Sequence, residues 1–421
     1  MTHIALVIPG LDRIGGAERQ TILLAKGFRK RGNRVSVVAL SGTGGAAARE
    51  LTEAGVAFLT LKMRKGLADA RGWLRFQCWL WRERPDVVHA HLAHAVWLTR
   101  WSRLTAPVPV HVDTLHSAST GTLGRRFGYR LSNWLTDRVT AVSQEVAEAH
   151  LRAGMVSRGK LVIVHNGVDI GVWRPDSEKR VGVRKEMGFK DEFVWLATGR
   201  LEPVKDHASL LRALARLPET AQLMVAGGGT LFAGLQALTT ELRLTTRVQF
   251  LGFVPDLERW MHAADGFILS SRWEGLPTGL IEAAASGLPS VATDVAGVRE
   301  IVAEGQSGLL TPVGDVEALA AAMEQVMQMP LEMRRAMGNL ARQRAGGQFS
   351  LDAVLDAWER LYGTLLDEKR RAYSYRSASA GRMRAAADDG YNVASREIPI
   401  ETTETMTPSR GRVAKGSVSI E

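Results

Sequence analysis

Short runs rich in Val, Ile and Leu alternate, almost throughout the chain, with stretches whose apolar residues recur at helical spacing. In the first half the runs predict strands at Ile4–Ile8, Val35–Leu40, Val56–Leu61, Val87–Ala90, Val110–Thr114, Arg138–Val142 and Leu161–Val164. The second half predicts Val194–Thr198, Gln222–Ala226, Val248–Leu251, Gly266–Leu269 and Ser290–Thr293. Continuous apolar runs, each followed by a helix, are the mark of parallel sheets covered on both faces. A dozen such strands exceed one ordinary sheet, so the pattern predicts an α/β protein of two doubly wound domains. The join falls near His165–Ile170, where Asn166-Gly167 interrupts the rhythm.

A further helical pattern runs from Ser350 to Asp367, with Leu351, Val354, Leu355, Trp358, Leu361 and Leu365 on one side. From Lys369 the texture shifts to Ser, Arg, Thr and Gly with few large apolar residues, which predicts a disordered tail over 369–421.

Composition narrows the class. With 45% apolar and 23% charged residues the chain reads as globular, and its single cysteine, Cys78, excludes an intrachain disulfide. The run Ile4–Ile8 is too short for a signal segment, and no run approaches the ~20 apolar residues a membrane span needs. The expected location is the cytoplasm. Charge is uneven: residues 1–165 hold 24 Lys/Arg against 11 Asp/Glu (+13), whereas the rest holds 30 against 33 (−3). A basic first half is expected to face something anionic.

Aromatics accompany that charge. Trp73, Phe76 and Leu80 share a helical face that reads as core, leaving Trp79 and Trp81 with the nearby arginines for surface contact. Arg125, Arg126 and Arg130 around Phe127 and Tyr129 form a second such group. These mixtures suit a membrane surface. No nucleic-acid recognition module is visible, so a nucleic-acid partner is not expected.

The stretch Glu274-Gly-Leu-Pro-Thr-Gly-Leu-Ile-Glu282 carries the densest chemistry. Glu274 sits in a Gly/Pro loop and Glu282 about one turn inside a helix. Between them the backbone amides of Gly275 to Gly279, the stretch that carries Leu276, Pro277 and Thr278, are the orphan donors of a helix N-terminus suited to phosphate. Carboxylates suit sugar or ribose hydroxyls, which are donors seeking acceptors. Gly15-Gly16 follows the first strand and opens a helix, again letting phosphate approach backbone. Arg200 and Lys205 leave the end of the strand Val194–Thr198, where ligands gather in open α/β sheets. A guanidinium fork and a compact ammonium together can neutralise a diphosphate. Phe253, ending the strand Val248–Leu251, is a candidate to stack on a nucleobase. There is no Asp-x-Asp pair and no His/Asp/Glu group with convincing ligand spacing, the alternating His89 and His91 included, so no metal and no cofactor are expected.

Ser271-Arg-Trp-Glu-Gly-Leu-Pro-Thr-Gly-Leu-Ile-Glu-Ala-Ala-Ala-Ser-Gly-Leu-Pro289 resembles the Glu-x7-Glu segment of family 4 retaining glycosyltransferases, and the likeness extends over Thr2 to Leu365. Gly15-Gly16-Ala17-Glu18 and the Gly199-Arg200/Lys205 spacing match the same family. Ala296-Gly297 stands where members often have Gly-Gly, so residue roles are not carried over to that turn.

The resemblance implies the GT-B fold. Residues 1–167 would form the acceptor-side Rossmann-like domain and 168–350 the nucleotide-sugar domain, with a helix at 351–368 crossing back to the first. It implies a nucleoside diphosphate sugar as donor, with UDP-sugar the first choice, and a glycan or lipid-linked acceptor. The setting implied is bacterial surface polysaccharide assembly on the inner face of the plasma membrane. Under it, Arg200 and Lys205 hold the diphosphate, Glu274 the donor sugar and Glu282 the ribose. His116 resembles the histidine that approaches the donor sugar, and its neighbour His111 is a weaker counterpart. A sugar-nucleotide epimerase of the same fold and a non-catalytic scaffold subunit are the alternatives. The scaffold would be expected to lose Arg200, Lys205 or Glu274, and all three are present.

Overall fold

The computed structural model describes residues 1–64 and 69–388, the last sixteen as backbone only. Residues Met1–Lys369 form one compact unit; a second begins at Arg370.

In the first unit, seven strands form a parallel sheet: β1 (His3–Ile8), β2 (Arg34–Ala39), β3 (Ala57–Thr60), β4 (Val87–His91), β5 (Val110–Leu115), β6 (Arg138–Ala141) and β7 (Leu161–Ile163). Their order is β3-β2-β1-β4-β5-β6-β7, reversing at β1/β4. Six more form a second parallel sheet: β8 (Phe193–Thr198), β9 (Ala221–Ala226), β10 (Val248–Gly252), β11 (Gly266–Leu269), β12 (Ser290–Thr293) and β13 (Gly308–Thr311). Their order is β10-β9-β8-β11-β12-β13, with the same reversal at β8/β11. Every residue of β1 and of β11 is buried, because helices cover both faces of each sheet. The two reversals set the crevices into which ligand-binding loops project.

The sheets are joined twice at one place. Val168 and Ser350 form a parallel bridge, with the Val168 amide donating to Phe349 O (2.8 Å) and the Leu351 amide to Val168 O (2.8 Å). Gln20 clamps the crossing: its amide nitrogen donates to Gly167 O (2.5 Å) and its carbonyl accepts from the Gly167 amide (2.9 Å).

The helix Leu351–Asp388 then returns to the first sheet. Val354, Leu355, Trp358, Tyr362 and Leu365 join the core of Ile4, Ile22, Phe28 and Val110. Leu355 lies against Gly27, where a Cβ would collide with it. Arg31 ties the helix further, reaching Asp356 (2.6 Å), Glu359 (2.9 Å) and Asp352 (3.1 Å).

Three expectations change. The strand β13 was not foreseen, because Gly308-Leu-Leu-Thr311 offers too short an apolar run to announce itself; pairing with β12 supplies what the sequence lacks. The tail expected to be disordered from 369 is helical through Asp388. Ala and Arg are the commonest residues of 369–388, and both are strong helix formers that propagate a helix already nucleated by packing. Residues 389–421 of the expected tail lie outside the described residues. Trp79, expected at the surface, is buried and stacks on Phe76, leaving Trp81 exposed on that helix.

Candidate active site

The helix Thr278–Ala285 begins at Pro277, whose extended backbone turns the chain and which contributes no side-chain cap. Its first amides therefore point out of the fold unclaimed by any capping side chain. The loop before it is locked against the first sheet. A Cβ at Gly275 would collide with the carbonyl oxygen of His116, and one at Gly297 with the Gly275 carbonyl. Gly279 is likewise pressed on Thr198. Leu276 and Pro277 are buried beneath this loop, while Thr278 is half-buried and lies 3.9 Å from a Cβ built on Gly16. The helix N-terminus thus faces the Gly15-Gly16 turn across the cleft.

That turn opens the helix Gly16–Lys30, where the Glu18 carboxylate accepts from the Gly15 amide (3.0 Å). Glu18 thereby occupies one of the orphan donors, so phosphate would meet the amides that follow Gly15 rather than Gly15 itself.

Lys205 and Glu274 are directly ion-paired, and both are mostly enclosed, at 19% and 12% side-chain exposure. Ser271 Oγ donates to the same Glu274 oxygen (2.6 Å). The loop carrying Lys205 is braced to the loop carrying Glu274: the Arg272 amide donates to Val204 O (2.8 Å), Ser270 Oγ to Lys205 O (2.9 Å) and Arg272 Nε to Asp206 (3.1 Å). Lys205 has two further protons to offer, and Glu274 a second oxygen. Arg200 is exposed on the same loop, with no side-chain partner among the described residues. It lines an open groove of about 560 Å³ with Glu202, Pro203, Val204, Arg272 and Trp273.

Glu282 is half-buried one turn into the helix, and burial pushes its carboxyl up to about 7, with Arg19 opposing and Glu258 reinforcing the shift. His116 is held neutral: burial lowers it to about 4. Its Nε2 shares a hydrogen bond with His91 Nδ1 (3.0 Å). His111 is fully buried away from the cleft beside Asp113 (3.6 Å) and Thr136 (3.2 Å). His89 is also internal, bonded to Thr114 (2.6 Å) and to Tyr362 OH (2.7 Å). Among the described residues no group of three or more His, Cys, Asp or Glu could hold a metal ion.

The cleft thus gathers Gly15, Gly16, His116, Lys205, Glu274, Leu276, Pro277, Thr278 and Glu282, with Arg200 at its edge. Phe253 follows the outer strand β10 and is 75% exposed. Two groups escaped sequence reasoning. Gly227 and Gly229, after β9, press on the Gly199 carbonyl and on Leu201 and so shape the floor beside Arg200. The triplet Gly227-Gly228-Gly229 directly after a foreseen strand was the available signal. Gln20 gave none.

Comparison with known proteins assigns the class. The "Glycosyltransferase Family 4" model matches residues 14–172 and the "Glycosyl transferases group 1" model residues 183–344. A D-inositol 3-phosphate glycosyltransferase of Mycobacterium ulcerans is 30% identical over 323 residues, covering 72% of this chain and 67% of the relative. The chain belongs to glycosyltransferase family 4.

The glycosyltransferase is also 27% identical over 274 residues to an Escherichia coli UDP-Gal:alpha-D-GlcNAc-diphosphoundecaprenol alpha-1,3-galactosyltransferase, covering 62% of this chain and 71% of that one. In fold it matches Anabaena HepE solved with UDP, at a TM-score of 0.75 and 24% identity over 86% of this chain and 100% of the other. Sucrose-phosphate synthase from Thermosynechococcus elongatus aligns with a TM-score of 0.76 at 21% identity, over 87% of this chain and 100% of the other. The glycosyltransferase therefore has the GT-B architecture, with the cleft between its two sheets.

Proposed function

We propose that this glycosyltransferase moves a sugar, with retention of configuration, from a UDP-sugar to a hydroxyl of a glycan or lipid-linked acceptor in bacterial polysaccharide assembly, working at the inner face of the plasma membrane. The observation that supports it best is the enclosed Lys205–Glu274 pair set beside the open helix N-terminus at Thr278. Cation, amides and carboxylate converge where a diphosphate and its sugar would meet.

In this reading Lys205 and Arg200 bind the diphosphate and stabilise the charge that grows on it as the glycosidic bond breaks. The amides of Leu276, Thr278 and Gly279, and those after Gly15, grip its oxygens. Glu274 orients the sugar through its hydroxyls and supports the oxocarbenium-like centre. Glu282 accepts from the ribose, and Phe253 stacks on the uracil. A neutral His116 hydrogen-bonds a sugar hydroxyl and has no need to act as a base. The departing phosphate takes the acceptor proton on the face it leaves, which gives retention without a protein nucleophile.

Thermal-shift titration with UDP-, GDP- and ADP-sugars, followed by proton NMR of the anomeric coupling in the product, tests this. The expected result is selective stabilisation by one UDP-sugar, an unchanged anomer, and turnover that persists in EDTA. Selective stabilisation by a GDP-sugar would overturn the donor, and an inverted anomer the mechanism.

A further inference from the structure

A group of large exposed apolar side chains lies on two neighbouring helices of the first lobe. Leu123, Phe127 and Leu131 recur every four residues along the helix Leu123–Ser132, a single stripe that is 79%, 68% and 52% exposed. Trp134 extends it at 65%. On the preceding helix Ala93–Ser102, Trp97 and Trp101 are one turn apart and also exposed. The Trp97 ring lies over Gly128, where a Cβ would collide with it, and Arg103 reaches Leu135 O (3.0 Å), so the two helices present one continuous face. An apolar surface of this size needs a partner.

Its charge identifies the partner's chemistry. Between Leu92 and Thr136 there are five arginines and one acid, Asp113, which is fully buried against Arg100. Arg126 and Arg130 flank the stripe, exposed and without a partner among the described residues. Large apolar groups amid unpaired arginines, with no exposed carboxylate in the segment, match an anionic bilayer: side chains enter the acyl boundary and guanidiniums meet phosphate headgroups. A protein partner of ordinary composition gives no reason for the missing acids.

We infer that the helix Leu123–Ser132, with Trp97, Trp101 and Trp134, docks the enzyme on an anionic lipid surface. The segment after His116 leads straight from the cleft into this helix, so docking would present the cleft to a substrate carried in the bilayer. The inference refines the lipid-linked acceptor of the proposed function, and its test uses no donor.

The full-length chain is sedimented with vesicles of phosphatidylcholine alone or mixed with phosphatidylglycerol. Binding to the anionic vesicles only is expected, weakening with salt. Arg126→Gln with Arg130→Gln should lower it about thirtyfold at low salt. Phe127→Ser with Trp134→Ser should lower it at least about tenfold, with UDP binding intact. Should the serine variant fail to fold, the glutamine pair decides, since both arginines are exposed and have no polar side-chain partner among the described residues. No partition of the wild type, or equal partition of wild type and the glutamine pair, overturns the inference. A wild-type dimer that the serine pair dissociates, without vesicle binding, would assign the face to a second copy instead and overturn it equally.

Discussion

Lys205→Ala and Glu274→Ala, singly and together, probe the enclosed ion pair at the centre of the site. Each side chain is less than one-fifth exposed, so the pair lies between a surface bridge, worth ~0–1 kcal/mol, and a buried one, whose breaking costs ~3–5 kcal/mol. Removing Lys205 leaves Glu274 only Ser271 as donor. The single variants should therefore each unfold at lower urea by about 1–3 kcal/mol, and the double variant should lose less than their sum. A coupling of about 1–2 kcal/mol is expected from the cycle. Turnover should follow the same logic. If the pair acts as a unit on the donor, each single change should cost roughly 10²–10³-fold in kcat, and the double change far less than the product. Urea titration supplies the first cycle and sugar-transfer rates at saturating donor the second. Strict additivity in both would refute the argument, since it would mean that the two groups neither hold each other nor act on a common charge.

Three further outcomes are expected. The Glu282 carboxyl, pushed up to about 7, loses its acceptor role as pH falls through that value, so UDP affinity measured by calorimetry should weaken up to about tenfold per unit below it. Glu282→Gln should remove that component; because the folded carboxyl holds its proton more tightly than the unfolded one, ionisation costs stability as pH rises from the ordinary carboxylate range through about 7, and the variant should gain relative to wild type above it. Gly275→Ala, whose methyl would strike the His116 carbonyl, should spread the cleft and cut turnover by about 10²-fold, while circular dichroism stays native. Tyr362→Phe leaves the buried His89 Nδ1 unpaired and should cost about 1–3 kcal/mol in urea unfolding with little change in transfer rate; an unaltered midpoint would show that the hydroxyl is not structural.

The fold was legible because the central strands are buried on both faces, so their apolar runs stand out from the amphipathic helices on either side. It failed at β13, four residues long and flanked by polar turns, whose existence depends on β12 being there to pair with. The glycine turns and the cation–carboxylate spacing marked the cleft, since phosphate and hydroxyl binding place recognisable residue types at strand ends. What the order of residues hides is pairing at a distance. Lys205 and Glu274 were read as serving different halves of a ligand; 69 positions apart, they hold each other. Gln20 and Gly167 are separated by 147 positions, and Tyr362 and His89 by 273. Nothing local in a glutamine or a tyrosine announces such a contact, and only the folded path of the chain creates it.

The return of the helix Leu351–Asp388 to the first sheet has a consequence for biosynthesis. Ile4, Ile22 and Phe28 emerge early from the ribosome, yet Val354, Trp358 and Tyr362, which cover them, are made only after the entire second sheet. The lobe translated first is thus the last to be sealed. During that interval its uncovered apolar face is the surface a chaperone would have to shield, and a chain terminated just before residue 351 would carry a complete second sheet beside an unsealed first.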